Sequence, residues 1–281
     1  MFKRSGQFLV IMAATASISS AGGNSCCALP YLRLPAATLR YKFKPGQTIL
    51  YTFTETSSST LAIADRPAVD ETKQSSTGTD RKVIASFENG QGVVEETTIK
   101  GTLDRTDARG SSTQLISPVK RRYTFNTLGK LMKTERKQPT GEVSSVPQPL
   151  DGLTFSLPEK PVAEGASWSE ALNIIGLDGN PLVVKSTSTY KGSQTRQAHA
   201  ADQIEVTYSG AFKIAAKDSN PEVEGSLSGK ATYYLARDWG QEVEIVNEAT
   251  IVFKSSANIQ GKVRPFVRTL KLNTNKSIAK Q

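Results

Sequence analysis

Hydrophobic and polar residues alternate with a period of two along nearly the whole chain. Leu39, Tyr41 and Phe43 alternate with Arg40, Lys42 and Lys44, and after Pro45-Gly46 the pattern resumes with Ile49, Tyr51 and Phe53. Successive strand side chains point to opposite faces of a sheet, so this predicts two strands joined by a tight turn. Residues 81–87, with Val83, Ala85 and Phe87 on one face, run into Asn89-Gly90, a hairpin signal because both residues accept positive φ. Residues 93–103 return from that turn. Further on, Tyr123 to Phe125 and Lys130 to Met132 flank the turn residues 126–129. Leu182 to Tyr190 leads to a predicted turn at Lys191-Gly192-Ser193, and Ile204, Val206 and Tyr208 alternate with polar partners. Residues 231–235 turn through 237–240 into 242–253, and 263–272 form the last strand candidate. Residues 169–175 fit two helical turns or a strand. Strands joined by short turns, with no amphipathic helices between them, predict an all-β antiparallel meander. It would form one large curved sheet or open barrel, or two related β halves.

Two stretches interrupt the alternation. Thr56 to Thr79 is rich in Ser, Thr, Asp and Lys, and reads as a long polar hairpin or a mobile loop. Gln138 to Gly165 holds Pro139, Pro147, Pro149, Pro158 and Pro161. Proline cannot donate to a sheet ladder, so this stretch is extended and irregular. The organisation that follows is a signal peptide at 1–21, a leader at 22–38, a first β half at 39–137, a Pro-rich belt at 138–165, and a second β half at 166–281 with a basic tail. The halves share punctuation: Gly46 precedes Tyr51 as Gly165 precedes Trp168, and Tyr123-x5-Gly129 matches Tyr234-x5-Gly240. A duplicated unit explains this, and so does the ordinary punctuation of a meander.

The first residues add a destination. Lys3-Arg4, the apolar run Phe8 to Ala14 and the small residues up to Gly23 follow the order of a secretory signal peptide, with Ser19 and Ala21 at the −3 and −1 positions before Gly22. The apolar run is shorter than the ~20 residues a bilayer span needs. The chain is therefore expected to be exported, periplasmic or extracellular. Of the adjacent Cys26 and Cys27, Cys26 is a candidate for lipidation, although among Gly23-Asn24-Ser25 only the −1 position fits a lipobox. The plainer reading is two cysteines in a leader.

Three segments carry a resemblance: Tyr41-Lys-Phe43-Lys-Pro45-Gly46-Gln47, then Leu157-Pro158-Glu-Lys-Pro161-Val162-Ala-Glu-Gly165-Ala-Ser-Trp168, then Gly229-Lys-Ala-Thr-Tyr233-Tyr234-Leu235. Together they resemble uncharacterised exported bacterial all-β proteins that share a Leu-Pro-x-x-Pro-Val-x-x-Gly-x-x-Trp segment. The resemblance implies export and β architecture, and it brings no activity and no site. In physical terms Pro158 and Pro161 stiffen a strap, Gly165 turns it and Trp168 plugs the core.

Catalytic candidates are few. The one histidine, His199, lies in a polar stretch between Ala198 and Ala200, and no Gly-x-Ser-x-Gly accompanies it. Gly225-x3-Gly229-Lys230 is one residue short of a phosphate loop and has Ala231 where a hydroxyl belongs. Glu95 and Glu96 point to opposite faces of a strand, Glu222 and Glu224 follow a turn, and both pairs read as solvated charges. No cofactor or metal is expected.

Charge changes the picture more. The chain has 35 basic and 26 acidic residues, a net +9, and none of its acids lies in 250–281. Lys262, Arg264, Arg268 and Lys271 are therefore candidate anion contacts. Without a stacking motif, and outside the cytoplasm, nucleic acid is not an expected partner. Three functional classes remain. The first is a non-enzymatic envelope protein whose β scaffold holds an apolar or amphipathic ligand. The second is an adhesion or structural protein touching anionic envelope polymers or the membrane surface through its basic end. The third is a hydrolase with an unrecognised site.

Overall fold

The computed structural model describes residues 36–279 apart from 65, 138–142, 146–154, 176–180, 217–220 and 260–261. The expected signal peptide, most of the leader and Cys26 lie outside the described residues. The first half contributes β1 (Thr48–Ile63), β2 (Val69–Glu88), β3 (Gln91–Asp107), β4 (Gly110–Leu115), β5 (Lys120–Asn126), β6 (Leu131–Lys137) and β7 (Val143–Ser145). The second contributes β8 (Ser167–Ile175), β9 (Pro181–Arg196), β10 (His199–Ile214), β11 (Val223–Ala236), β12 (Glu242–Ile259) and β13 (Lys262–Ile278). All belong to one open sheet in the order β7-β6-β5-β3-β2-β1-β13-β12-β11-β10-β9-β8, with β4 sharing the edge of β3 with β5. Every pairing is antiparallel. The chain enters at the middle of the sheet, meanders out to β7, re-enters at the opposite edge with β8, and meanders back. There β13 pairs with β1, from Tyr51↔Ile278 to Ile63↔Phe266, so both halves share one sheet.

The alternating stretches and the turn residues explain most of this. Asn89 (φ 51) and Gly90 (φ 75) make the β2–β3 turn. The polar stretch 56–79 lies within the long β1–β2 hairpin, where hydroxyl and β-branched residues suit solvated strand positions. Residues 169–175 are strand, in β8. Three expectations need correction. The turn foreseen at 191–193 is a bulge inside β9, and the chain reverses later, at Gln197 and Ala198, both with positive φ. Val83, Ala85 and Phe87 do not share a face, because a register shift between Ile84 and Ser86 intervenes and it is Ile84 that is fully buried. The third concerns Leu39 to Phe43.

That segment alternates as a strand does but does not join the sheet. It lies across one face as a strap, with Ala37, Leu39 and Phe43 buried beneath it and Arg40 and Lys42 turned outward. Its backbone amides bond singly, Tyr41 N–H to Thr127 O (3.0 Å) and Lys42 N–H to Gly240 O (3.1 Å). Arg40 donates to the Pro158 carbonyl at 2.7 Å and so ties the strap to the belt, which bridges it again at Ala37↔Val162. The belt crosses the same face, burying Phe155 and Leu157, and Phe155 meets the Tyr233 ring at 4.4 Å. Trp168 Nε1 donates to Ser156 O at 2.7 Å. A fully buried side chain of the Leu39 or Ile204 type contributes about 1.5–3 kcal/mol, so strap and belt form the far wall of the core.

Both halves are entered through the same device. Gly46 (φ 81) donates to Ile84 O while Gln47 O accepts from Ile84 N–H; Gly165 (φ 84) donates to Tyr190 O while Ala166 O accepts from Tyr190 N–H. Positive φ is what glycine supplies at such turns.

Candidate functional site

The strap covers a face on which charged side chains stand among aromatic ones. From β2 come Lys82 and Asp80, from β3 Glu96, from β13 Lys276, and from the first residue of β12 Glu242. A register shift at Tyr234/Leu235 separates Glu242 from Glu244, which would share a face in a regular strand. Glu242 turns to the covered face, and Glu244 pairs with Arg196 on the other. Lys82 Nζ meets Glu242 Oε2 at 2.8 Å, with both side chains 13% exposed. Tyr41 of the strap donates to Glu242 Oε1 at 2.8 Å, and the Tyr51 hydroxyl donates to the Glu242 backbone carbonyl at 2.8 Å. Beside them Lys276 reaches both Asp80, at 3.0 Å, and Glu96, and its Nζ stands 5.1 Å from the Tyr51 ring centre.

These groups hold one another in their charged forms. Burial opposes the charge on Glu242, but Lys82 and the Tyr41 hydroxyl outweigh it and hold the carboxyl below its ordinary value. Glu96 is likewise lowered against burial, by Lys276 first and then Lys82 and Arg121. Burial works against Lys276 too, yet Glu96 and Asp80 raise its pKa. Burial, then the Glu242 charge, pushes the Tyr41 and Tyr51 phenols well above their usual value. The shifts on Glu242, Glu96 and Lys276 all favour the charged form of each.

Two cavities that share part of their lining open on this face, and only the first is lined by the ion cluster. The first, about 170 Å3, is lined by the ion pairs and by the rings of Tyr41, Tyr51, Phe53, Tyr123, Phe125 and Tyr233. The second, about 400 Å3, has a polar wall of Ser57, Gln74 and Ser76 and an apolar wall of Leu103, Ile116, Leu227, Ala249 and Leu272. Glu55, Asn247 and Thr274 line both. The larger space alone falls within the ~300–1,000 Å3 of small-ligand sites, and aromatic walls with a few placed polar groups are their usual composition. Among the described residues no group of three or more His, Cys, Asp and Glu side chains is placed to hold a metal ion.

None of the residues singled out from sequence as anion contacts lines either cavity. By register Lys262, Arg264 and Arg268 fall on one face of β13 and Lys271 on the other. Arg268 is held by Glu71 through Nε (2.8 Å) and Nη2 (2.9 Å). His199 opens β10, with its ring 5.6 Å from that of Trp239, and it lines neither cavity. Glu222 and Glu224 are exposed partners of Lys213. Glu95 meets Lys120 at 2.6 Å on the outer face, but Glu96 is no solvated charge, because the covered face and Lys276 enclose it. The signal that marks the site in sequence is a charge at an apolar-phase position, as Lys276 stands in register with Ile278, Leu272 and Leu270.

No protein-family model matches the chain, and no curated protein does. Among solved structures the chain is similar to lipovitellin, solved for its lipid–protein interactions, at 10% identity and a TM-score of 0.45 over 85% of this chain. It spans 26% of the lipovitellin chain. It is also similar to the low-pH structure of OprB from Pseudomonas putida, at 7% identity and a TM-score of 0.18, over 82% of this chain and 92% of that one. Scores this low leave the functional reading to the chain's own residues.

Proposed function

We propose that the protein is a non-catalytic β scaffold of the bacterial envelope that carries an amphipathic ligand in its paired cavities. The ligand's apolar part lies against Leu103, Leu227 and Leu272, and its polar end faces the ion-pair floor. The observation that carries this reading is the meeting of an aromatic, charged cavity with a half-apolar one at Glu55, Asn247 and Thr274. An amphiphile has the same two-part composition. The basic-apolar-small order of residues 1–23 and the resemblance to exported β proteins support an envelope location.

Native mass spectrometry of protein purified from its own host without refolding tests the reading. A mass excess that disappears on denaturation and extracts as an amphiphile is the expected result. A bare polypeptide mass, unchanged after incubation with host lipid extract, would overturn it.

A further inference from the structure

The strap lies over the start of β1, and the far end of that strand is built differently. There the ends of the β1–β2 and β12–β13 hairpins stand side by side, since Ile63 pairs with Phe266 and Ala64 N–H donates to Pro265 O at 3.1 Å. Three large apolar side chains are exposed at this end: Val263 is 74% exposed, Val69 55% and Val267 37%. Arg66, Pro67, Ala68, Lys262 and Pro265 are exposed beside them. A single exposed valine is ordinary, but several on two adjacent hairpin ends have the composition of an interaction surface.

The charge of the two ends narrows what covers them. Residues 61–73 and 254–268 hold six basic and three acidic side chains. Two of the acids are answered on the spot, Asp70 by Lys73 and Glu71 by Arg268, both at 2.8 Å. On the neighbouring β10–β11 hairpin, Glu222 and Glu224 are held by Lys213. Basic side chains beside exposed valines suit an anionic lipid surface, where the charges meet headgroups and the apolar groups enter between them. A second copy of the same end would bring like charges together. The covered face points the same way. From Leu272 and Leu227, which line the larger cavity, it continues toward these hairpin ends through Ile251, Leu270, Phe253 and Phe266, with Arg268 among them on β13. Phe253 meets Phe212 at 5.7 Å between ring centres. An apolar row thus runs from the cavity to the end that bears the valines.

We infer that this end of the sheet docks on an anionic lipid surface, with Val263, Val267 and Val69 entering the headgroup layer and Lys262 and Arg66 over the phosphates. Docking stands apart from ligand carriage; where both hold, the apolar row is the path between bilayer and cavity. The test is flotation of the purified protein with vesicles of phosphatidylcholine alone and of equal parts phosphatidylcholine and phosphatidylglycerol. Binding to the mixed vesicles is expected to be about tenfold tighter or more, the effect of two or more basic residues near the surface. Lys262→Gln should weaken it about fivefold, the factor that about 1 kcal/mol per basic residue gives. Val263→Ser should weaken it about tenfold through lost apolar burial, and Leu50→Ser, at the other end of β1, should change nothing. All three positions are exposed, so each variant should keep the circular dichroism of the parent. Equal flotation with both vesicles, or with neither, overturns the docking and leaves ligand carriage to its own mass measurement. Loss on Lys262→Gln without loss on Val263→Ser would describe attraction to any polyanion and overturn contact with lipid. Self-association without vesicles that Val263→Ser abolishes would assign this end to a second copy and overturn it as well.

Discussion

Lys82 and Glu242 lie 160 residues apart in the chain, and their Nζ and Oε2 atoms meet at 2.8 Å beneath the strap. The contact joins the two halves of the sheet across the β1–β13 seam, and Tyr41 fixes it from above. Removing water from two charges consumes most of what their attraction returns, so the pair is poor evidence of net stabilisation. Its effect lies in what happens when one member goes.

Lys82→Met is expected to lower unfolding free energy by about 3 kcal/mol, because it leaves Glu242 charged and without its cation. Adding Glu242→Leu should return most of that loss, short by about 1 kcal/mol for the Tyr41 hydroxyl left without an acceptor. Urea denaturation of the single and double variants checks this. A double variant no more stable than the single one contradicts the account.

The carboxyls of Glu242 and Glu96 are held below the ordinary glutamate value of 4.5. Between the folded and unfolded values the unfolded chain binds more protons, so their stabilisation is complete above the unfolded value and is lost as pH falls through the folded one. Lys276, Tyr41 and Tyr51 are raised, so their contribution is complete below the ordinary lysine and tyrosine values and is lost as pH climbs beyond them. Stability should therefore be flat across neutral pH with an acid and an alkaline limb. Glu96→Gln should make the acid limb shallower in denaturation series run from about pH 7 down to about pH 3.

The strap gives a separate prediction. Leu39 is 1% exposed although it belongs to no strand. Leu39→Ala is expected to cost about 2–4 kcal/mol, the range of a core truncation, where an exposed edge residue would cost a few tenths.

Strands and turns were legible because period-two burial and turn chemistry are local. Asn89-Gly90 and the alternation of Ile204, Val206 and Tyr208 act within a few residues. The strap was not legible, because Leu39, Tyr41 and Phe43 need only one buried side, and a segment lying on a sheet satisfies that as well as a strand within it does. Bulges were hidden for a related reason. One extra residue at Ala85 reverses which side chains face inward, and nothing in the run from Val83 to Phe87 announces it. The ion cluster draws on β2, β3, β12 and β13, so its charges look solvated one strand at a time and become enclosed only when β13 closes on β1.

Thr274 lines both cavities. Thr274→Phe is expected to fill their junction, abolishing ligand binding while the far-ultraviolet circular dichroism stays that of the parent sheet. The stability change should stay within the about 1–3 kcal/mol of an overpacked site.

The most direct test of ligand carriage is methyl nuclear magnetic resonance of the protein titrated with triethylene glycol monododecyl ether, a neutral amphiphile. Saturable shifts, with contacts to the probe's alkyl chain, are expected at Leu103, Ile116, Leu227 and Leu272, and none at the outward-facing Leu50 and Val183. Shifts confined to the outer face, or none at any concentration below micelle formation, would contradict it.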